Sequence, residues 1–223
     1  LPNQLDMTTA ATAAARLGVT SSEASLPGLI TAASSAVAEY LGYPVYRRED
    51  VEETVVGRGG RYLWLESGAI QALTSIAVGG SVVDSSLYAL DGRDGARKGR
   101  IVARSTYRWP FTGEWTAGIS STPYQAHDTG AIVVTFTAGW VTPGQVALST
   151  YSPSDMPPEL EQAALEVVTA WFQRKGQDAG VTSMSTGDAS VGWGGDSLQG
   201  GRAPLPLSAR ALAAPYRKPR GAR

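Results

Sequence analysis

Between residues 26 and 41 the apolar positions recur at intervals of three and four. Leu26, Leu29, Ile30, Ala33, Val37, Tyr40 and Leu41 fall on one side of a helical spiral, which predicts a helix with a single buried stripe. Ser25 stands where an N-cap belongs, Pro27 suits a first turn, and Gly42 followed by Pro44 stops the run. An alanine-rich stretch over 7–17, closed by Gly18, predicts a shorter helix ahead of it. The strongest helical pattern covers 158–175. Pro157 and Pro158 open it, Glu159 and Glu161 sit where the helix dipole favours anions, and Gly176 ends it. Its stripe is Leu160, Ala164, Val167, Val168 and Trp171, widened by Leu165 and Phe172. A last short helix is expected over 207–214, between Pro206 and Pro215.

From residue 46 to 140 the period changes to two. Val51 and Val55 lead to a Gly57-Arg58-Gly59-Gly60 turn, and further strands are expected over 62–65, 72–78, 87–90, 100–104 and 131–138. The last of these alternates cleanly, with Ile132, Val134 and Phe136 on one side and Val133, Thr135 and Thr137 on the other. The order predicts an α+β fold. Helices from both ends of the chain form a small bundle, and an antiparallel β insertion of about six strands projects from it. The divisions fall at 1–45 (first helices), 46–150 (insertion), 151–176 (long core helix) and 177–223 (extended segment, short helix and basic tail). Residues 107–130 form a long loop rich in Trp, Pro, Gly and Ser, and 176–202 reads as extended rather than helical.

Composition narrows the chemistry. With no cysteine and a single histidine, His127, thiolate metal sites, disulfides and sites needing two imidazoles are excluded. Charged residues are only 17% of the 223, and no apolar run is long enough to span a membrane. Too few residues precede Met7 for a signal peptide, so synthesis in the cytoplasm is expected. Net charge is −1 but uneven: six basic residues and no acids lie over 202–223, leaving 13 basic against 20 acidic elsewhere. Such a tail either meets an acidic surface or nucleic acid, or is simply a solvated terminus.

Candidate catalytic groups are sparse. The glycine-rich turn at 57–60 lacks the Lys-Ser/Thr of a phosphate loop and reads as a hairpin turn. His127-Asp128 has no nucleophile elbow beside it, and Glu114, Asp128 and Asp155 have no fixed separation that would make a carboxylate pair. No cofactor or metal is expected. Trp64, Trp140 and Trp171 sit on strand or helix patterns and read as core. Trp109, Trp115 and Trp193 fall in glycine-rich loops, as a sugar-binding platform or a protein interface would have them. Arg93, Arg97, Lys98, Arg100, Arg104 and Arg108 form a basic stretch that either faces DNA phosphates or is a solvated hairpin tip.

Taken in order, these pieces resemble the head–tail connector (adaptor, or head-completion) proteins of long-tailed bacteriophages. The likeness is carried by residues 26–43 with their Tyr40-Leu41 pair, by 62–65 and 70–80, and by Ala138-Gly139-Trp140 closing a strand. It continues through 157–165, 185–191 and 205–217; the 107–130 loop matches no feature of the family. The resemblance implies a structural virion protein, not an enzyme, forming a ring of about twelve copies at the head–tail junction. Its implied partners are the portal ring, the next neck or tail-completion protein, further copies of itself, and DNA in the channel, with no membrane. On this reading Leu205, Leu207, Arg210, Leu212, Tyr216, Arg217 and Lys218 dock on the portal, in a segment too poor in apolar area to order alone. Arg93, Arg97, Lys98 and Arg100 face the channel or a ring contact, and Trp109, Trp115 and Trp193 meet a neighbouring subunit. The alternative is a carbohydrate- or receptor-binding module built on the loop tryptophans.

Overall fold

The structure, a computed structural model, describes residues 2–92, 97–112, 131–148, 151–174 and 205–218, together with the backbone of two strands within 183–192. Helices α1 (Ala10–Leu17) and α2 (Leu26–Leu41) come first. Thr9 caps α1 through its hydroxyl, which accepts from the Thr12 amide. Ser25 does not cap α2: its backbone is already helical, and its hydroxyl donates to Glu23 instead. Gly18 and Gly42 end the two helices in left-handed conformations that a side chain would strain.

Seven strands follow: β1 (Arg48–Val55), β2 (Tyr62–Trp64), β3 (Ile70–Val78), β4 (Ser81–Val82), β5 (Tyr88–Leu90), β6 (Arg100–Ala103) and β7 (Ile132–Ala138). They form two antiparallel sheets, ordered β1-β7-β3-β4 and β2-β6-β5. β1 and β2 therefore lie in different sheets, so 57–60 is a crossing between sheets rather than the expected hairpin turn. Gly57 is needed there because a Cβ would sit on the Pro110 carbonyl. The two sheets share a core of Leu63, Leu65, Ile76, Ile101, Ile132, Val134 and Phe136. Alternation in β7 puts its even-numbered residues into that core.

After β7, α3 (Pro143–Ala147) begins in a Thr142–Gln145 capping box. Then come α4 (Pro158–Gln173), the hairpin β8 (Ser183–Thr186) and β9 (Ala189–Gly192), and α5 (Leu207–Ala213). Helices α1, α2, α4 and α5 pack around a second core that contains Leu26, Ile30, Val37, Leu41, Leu160, Val167 and Val168. Ser154 and Asp155, just ahead of α4, bond the Val141 backbone, and Asp155 also pairs with Arg47. They tie the start of α4 to the exit of β7. The fold is a small helical bundle with an antiparallel β insertion.

Candidate interaction surfaces

The seam between bundle and insertion is built from aromatic rings. Trp140 lies against Tyr43 and Tyr216, and the Tyr43 hydroxyl donates to the Tyr216 carbonyl at 2.7 Å. Burial pushes the Tyr43 hydroxyl well above the ordinary tyrosine range, with the nearby Arg97 charge drawing it partly back. The Arg97 guanidinium stacks on the Tyr216 ring at 4.6 Å, and its carbonyl accepts from the Ala69 amide. Arg97 thus joins the insertion to the C-terminal helix.

This changes the reading of the C-terminal segment. Leu205, Ala209, Ala213 and Tyr216 are buried in the chain's own bundle core, and the Lys218 amide donates to the Leu41 carbonyl. Leu205 and Tyr216 are therefore not free anchors, and 205–218 packs without a partner. The apolar side chain left outward is Leu207, 73% exposed at the start of α5; Leu212 is half-buried. Arg210, Arg217 and Lys218 are partly exposed, with Arg217 over the Tyr40 ring and the Lys218 ammonium donating to the Glu66 carbonyl.

The tryptophans divide differently from their sequence pattern. Trp109, expected at a subunit contact, is 0% exposed and sits in the insertion core against Tyr88 and Tyr107. The backbone accounts for this, since the Trp109 amide bonds the Gly60 carbonyl and so draws the loop under the sheet edge. Trp64, expected in the core, points outward at 36% exposure, because β2 alternates and its buried position is Leu63. Trp140 is buried as expected, and Trp171 is partly buried against the bundle core. Trp115, Trp193, Arg93, His127, Glu114 and Asp128 lie outside the described residues. A sugar platform of the three loop tryptophans thus loses Trp109.

Strand register exposes a surface that no single motif announced. Trp64 pairs with Arg100 and Tyr62 with Val102 on the outer face of the three-stranded sheet. Arg100 forms an ion pair with Asp91, just past the end of β5, and lies over both the Tyr62 and Trp64 rings. Beside it, 57–61 runs along 103–112 through bonds from Ala103 to Arg61, Trp109 to Gly60 and Thr112 to Gly57. That pairing sets the two stretches carrying the exposed Arg58, Arg61, Arg104 and Arg108 side by side. Arg104 and Arg108 belong to the basic stretch visible in the sequence; Arg58 and Arg61 join it only through strand pairing. Lys98 is half-buried.

Two other features offer less. Among the described residues no group of three or more His, Asp or Glu gathers as metal ligands, and no helix is long and apolar enough to cross a membrane. A pocket of about 320 Å³ near the start of α1 is lined by Pro27, Ile30, Pro143 and Ala147. Its one carboxylate, Asp6, is already engaged by the Thr31 hydroxyl and the Asn3 amide.

The chain's sequence matches no protein-family model and no curated protein. Its fold does have counterparts. Over 99% of this chain and 93% of the other, it superposes on a chain from the neck of a native gene transfer agent (GTA) particle, computed with C12 symmetry, at TM-score 0.50 and 15% identity. A chain from the neck of the empty GTA particle, computed with C6 symmetry, gives TM-score 0.53 and 16% identity over 97% of this chain and 92% of that one. This chain folds like a protein of the GTA neck. The likeness takes in bundle and insertion together, so the architecture is shared as a whole.

Proposed function

We propose that this chain is a structural virion protein of the head–tail junction. It forms an adaptor ring that docks on the portal, extends the DNA channel towards the tail and receives the next neck or tail-completion protein. The observation that carries this reading is the fold shared with GTA neck chains across nearly the whole chain. Two cores joined by the Tyr43–Trp140–Tyr216 seam suit a rigid block that transmits load between neighbours. The role asks for no catalytic residue, and assembly in the host cytoplasm follows from it. Portal docking falls to the outward Leu207 with Arg210, Arg217 and Lys218, while Leu205 and Tyr216 hold α5 in place for them. A weak contact of this kind becomes a firm joint when repeated around a ring.

The test is particle mass, measured for the chain alone and after mixing with the portal protein of the same virus. A portal complex heavier by several copies of this chain is expected, weakened by Leu207→Asp. A chain that never joins the portal ring at any ratio or ionic strength overturns the docking role.

A further inference from the structure

We infer that the strip formed by Arg58, Arg61, Arg104 and Arg108 holds the phosphate backbone of duplex DNA, without reading its sequence. This rests on the neck reading and deepens it, naming the face of the chain that meets the passing DNA. The first ground is charge separation. Residues 57–65 and 97–112 hold seven cations and no carboxylate; removing those seven from the chain's 19 leaves 12 basic against 20 acidic elsewhere. Among the described residues Asp91 is the one carboxylate ion-paired here, and it takes Arg100. Among the described residues the other four arginines have no ion-pair partner.

The second ground is preorganisation. Arg61 donates from Nε to the Ala103 carbonyl, and Arg108 donates to the Ser105 and Tyr107 carbonyls, so backbone acceptors hold both guanidinium groups at the surface. Their remaining N–H donors are left for an incoming acceptor, and the guanidinium fork matches phosphate geometry. The third ground selects the kind of ligand. A hydrated phosphate ladder neutralises a row of cations without burying them dry. Arg100 lies over the Tyr62 and Trp64 rings, and because both rings keep exposed area, stacking of unpaired bases is a separate outcome of the test. Exposed Glu49, Asp50 and Glu52 on β1, in the other sheet, repel phosphate and disfavour DNA there.

The experiment is a fluorescence-anisotropy titration of the full chain with a labelled duplex of arbitrary sequence, from 50 to 200 mM salt. Four phosphate contacts predict a slope of log K against log salt near −3.6, a loss of about 150-fold across that range. Arg104→Ala and Arg108→Ala should each flatten the slope by about 0.9, and replacing all four arginines by lysine should keep it. Arg16→Ala, which removes one charge from the helical bundle, should change nothing. Arg104 has an exposed side chain in no ion pair, so its variant folds whatever the others do. The inference is overturned by absent binding at 50 mM salt, by a slope that ignores these variants, or by preference for single strands lost with Trp64→Ala. It is equally overturned if the variants impair self-association and leave DNA binding intact. None of those results bears on location in the neck, which imaging of particles decides separately.

Discussion

Trp109→Ala separates a core role from an interface role. The ring is fully buried, packed edge-on to Tyr107 at 5.3 Å and tilted against Tyr88 at 6.2 Å. A buried tryptophan removes roughly 200 Å² from water, about 5 kcal/mol at ~25 cal/mol per Å². Against that, its Nε1 hydrogen finds no acceptor among the described residues, which costs about 1–2 kcal/mol. The difference predicts a loss of ~3–4 kcal/mol, inside the range for large aromatic truncations. For a chain of this size that lowers Tm by roughly 6–16 °C. Trp109→Phe keeps most of the apolar area and removes the orphaned N–H, so its loss should stay near 1 kcal/mol or below. Thermal and urea denaturation followed by near-ultraviolet circular dichroism measure both. If Trp109→Ala leaves the monomer within about 1 kcal/mol of wild type while assembly weakens, the ring belongs to a neighbour contact and the packing argument fails.

Gly139→Ala should destabilise far more than Gly18→Ala: both backbones are left-handed, but a Cβ on Gly139 would lie 2.1 Å from the Tyr46 carbonyl, while Gly18 has open space. Gly18→Ala should cost about 1 kcal/mol in urea denaturation, and equal losses at both sites would contradict the close approach of 139 to 46. Because the folded Tyr43 hydroxyl titrates above its unfolded value, the stability it confers is intact below pH ~10 and is lost as pH rises further. Tyr43→Phe should blunt that alkaline loss and cost about 1 kcal/mol at neutral pH through the lost bond to the Tyr216 carbonyl. Truncation after residue 204 should lower Tm of the isolated chain, since it removes Leu205, Ala209, Ala213 and Tyr216 from the bundle core. An unchanged Tm would mean that the segment docks elsewhere.

Elements with a complete local signal were legible. Helix α2 has the expected bounds, 26–41, because its stripe, Pro27 and Gly42 all act within the helix itself. Helix α4 and the strands around 62, 100 and 132 follow for the same reason. What depends on distant partners was not legible. The fate of Trp109 turns on a backbone bond to Gly60, and that of Trp64 on which side of a three-residue strand faces in. The C-terminal segment looked too poor in apolar area to order alone, yet its few apolar residues complete a core supplied by α2 and α4. Short α3 and β4 were not anticipated, being too brief for periodicity to register. The arginine strip was half visible: 104 and 108 stand in a basic run, but only sheet register brings 58 and 61 beside them.

The claim that this is a neck protein is tested most directly by locating it in the particle. Virions carrying the chain with a small marker domain fused after Arg223 can be imaged and averaged against unmarked ones. A ring of extra density between portal and tail is expected, and particles lacking the chain should hold filled or emptied heads without stably joined tails. Marker density on the capsid shell or at the far end of the tail, or normal tailed particles without the chain, would contradict it.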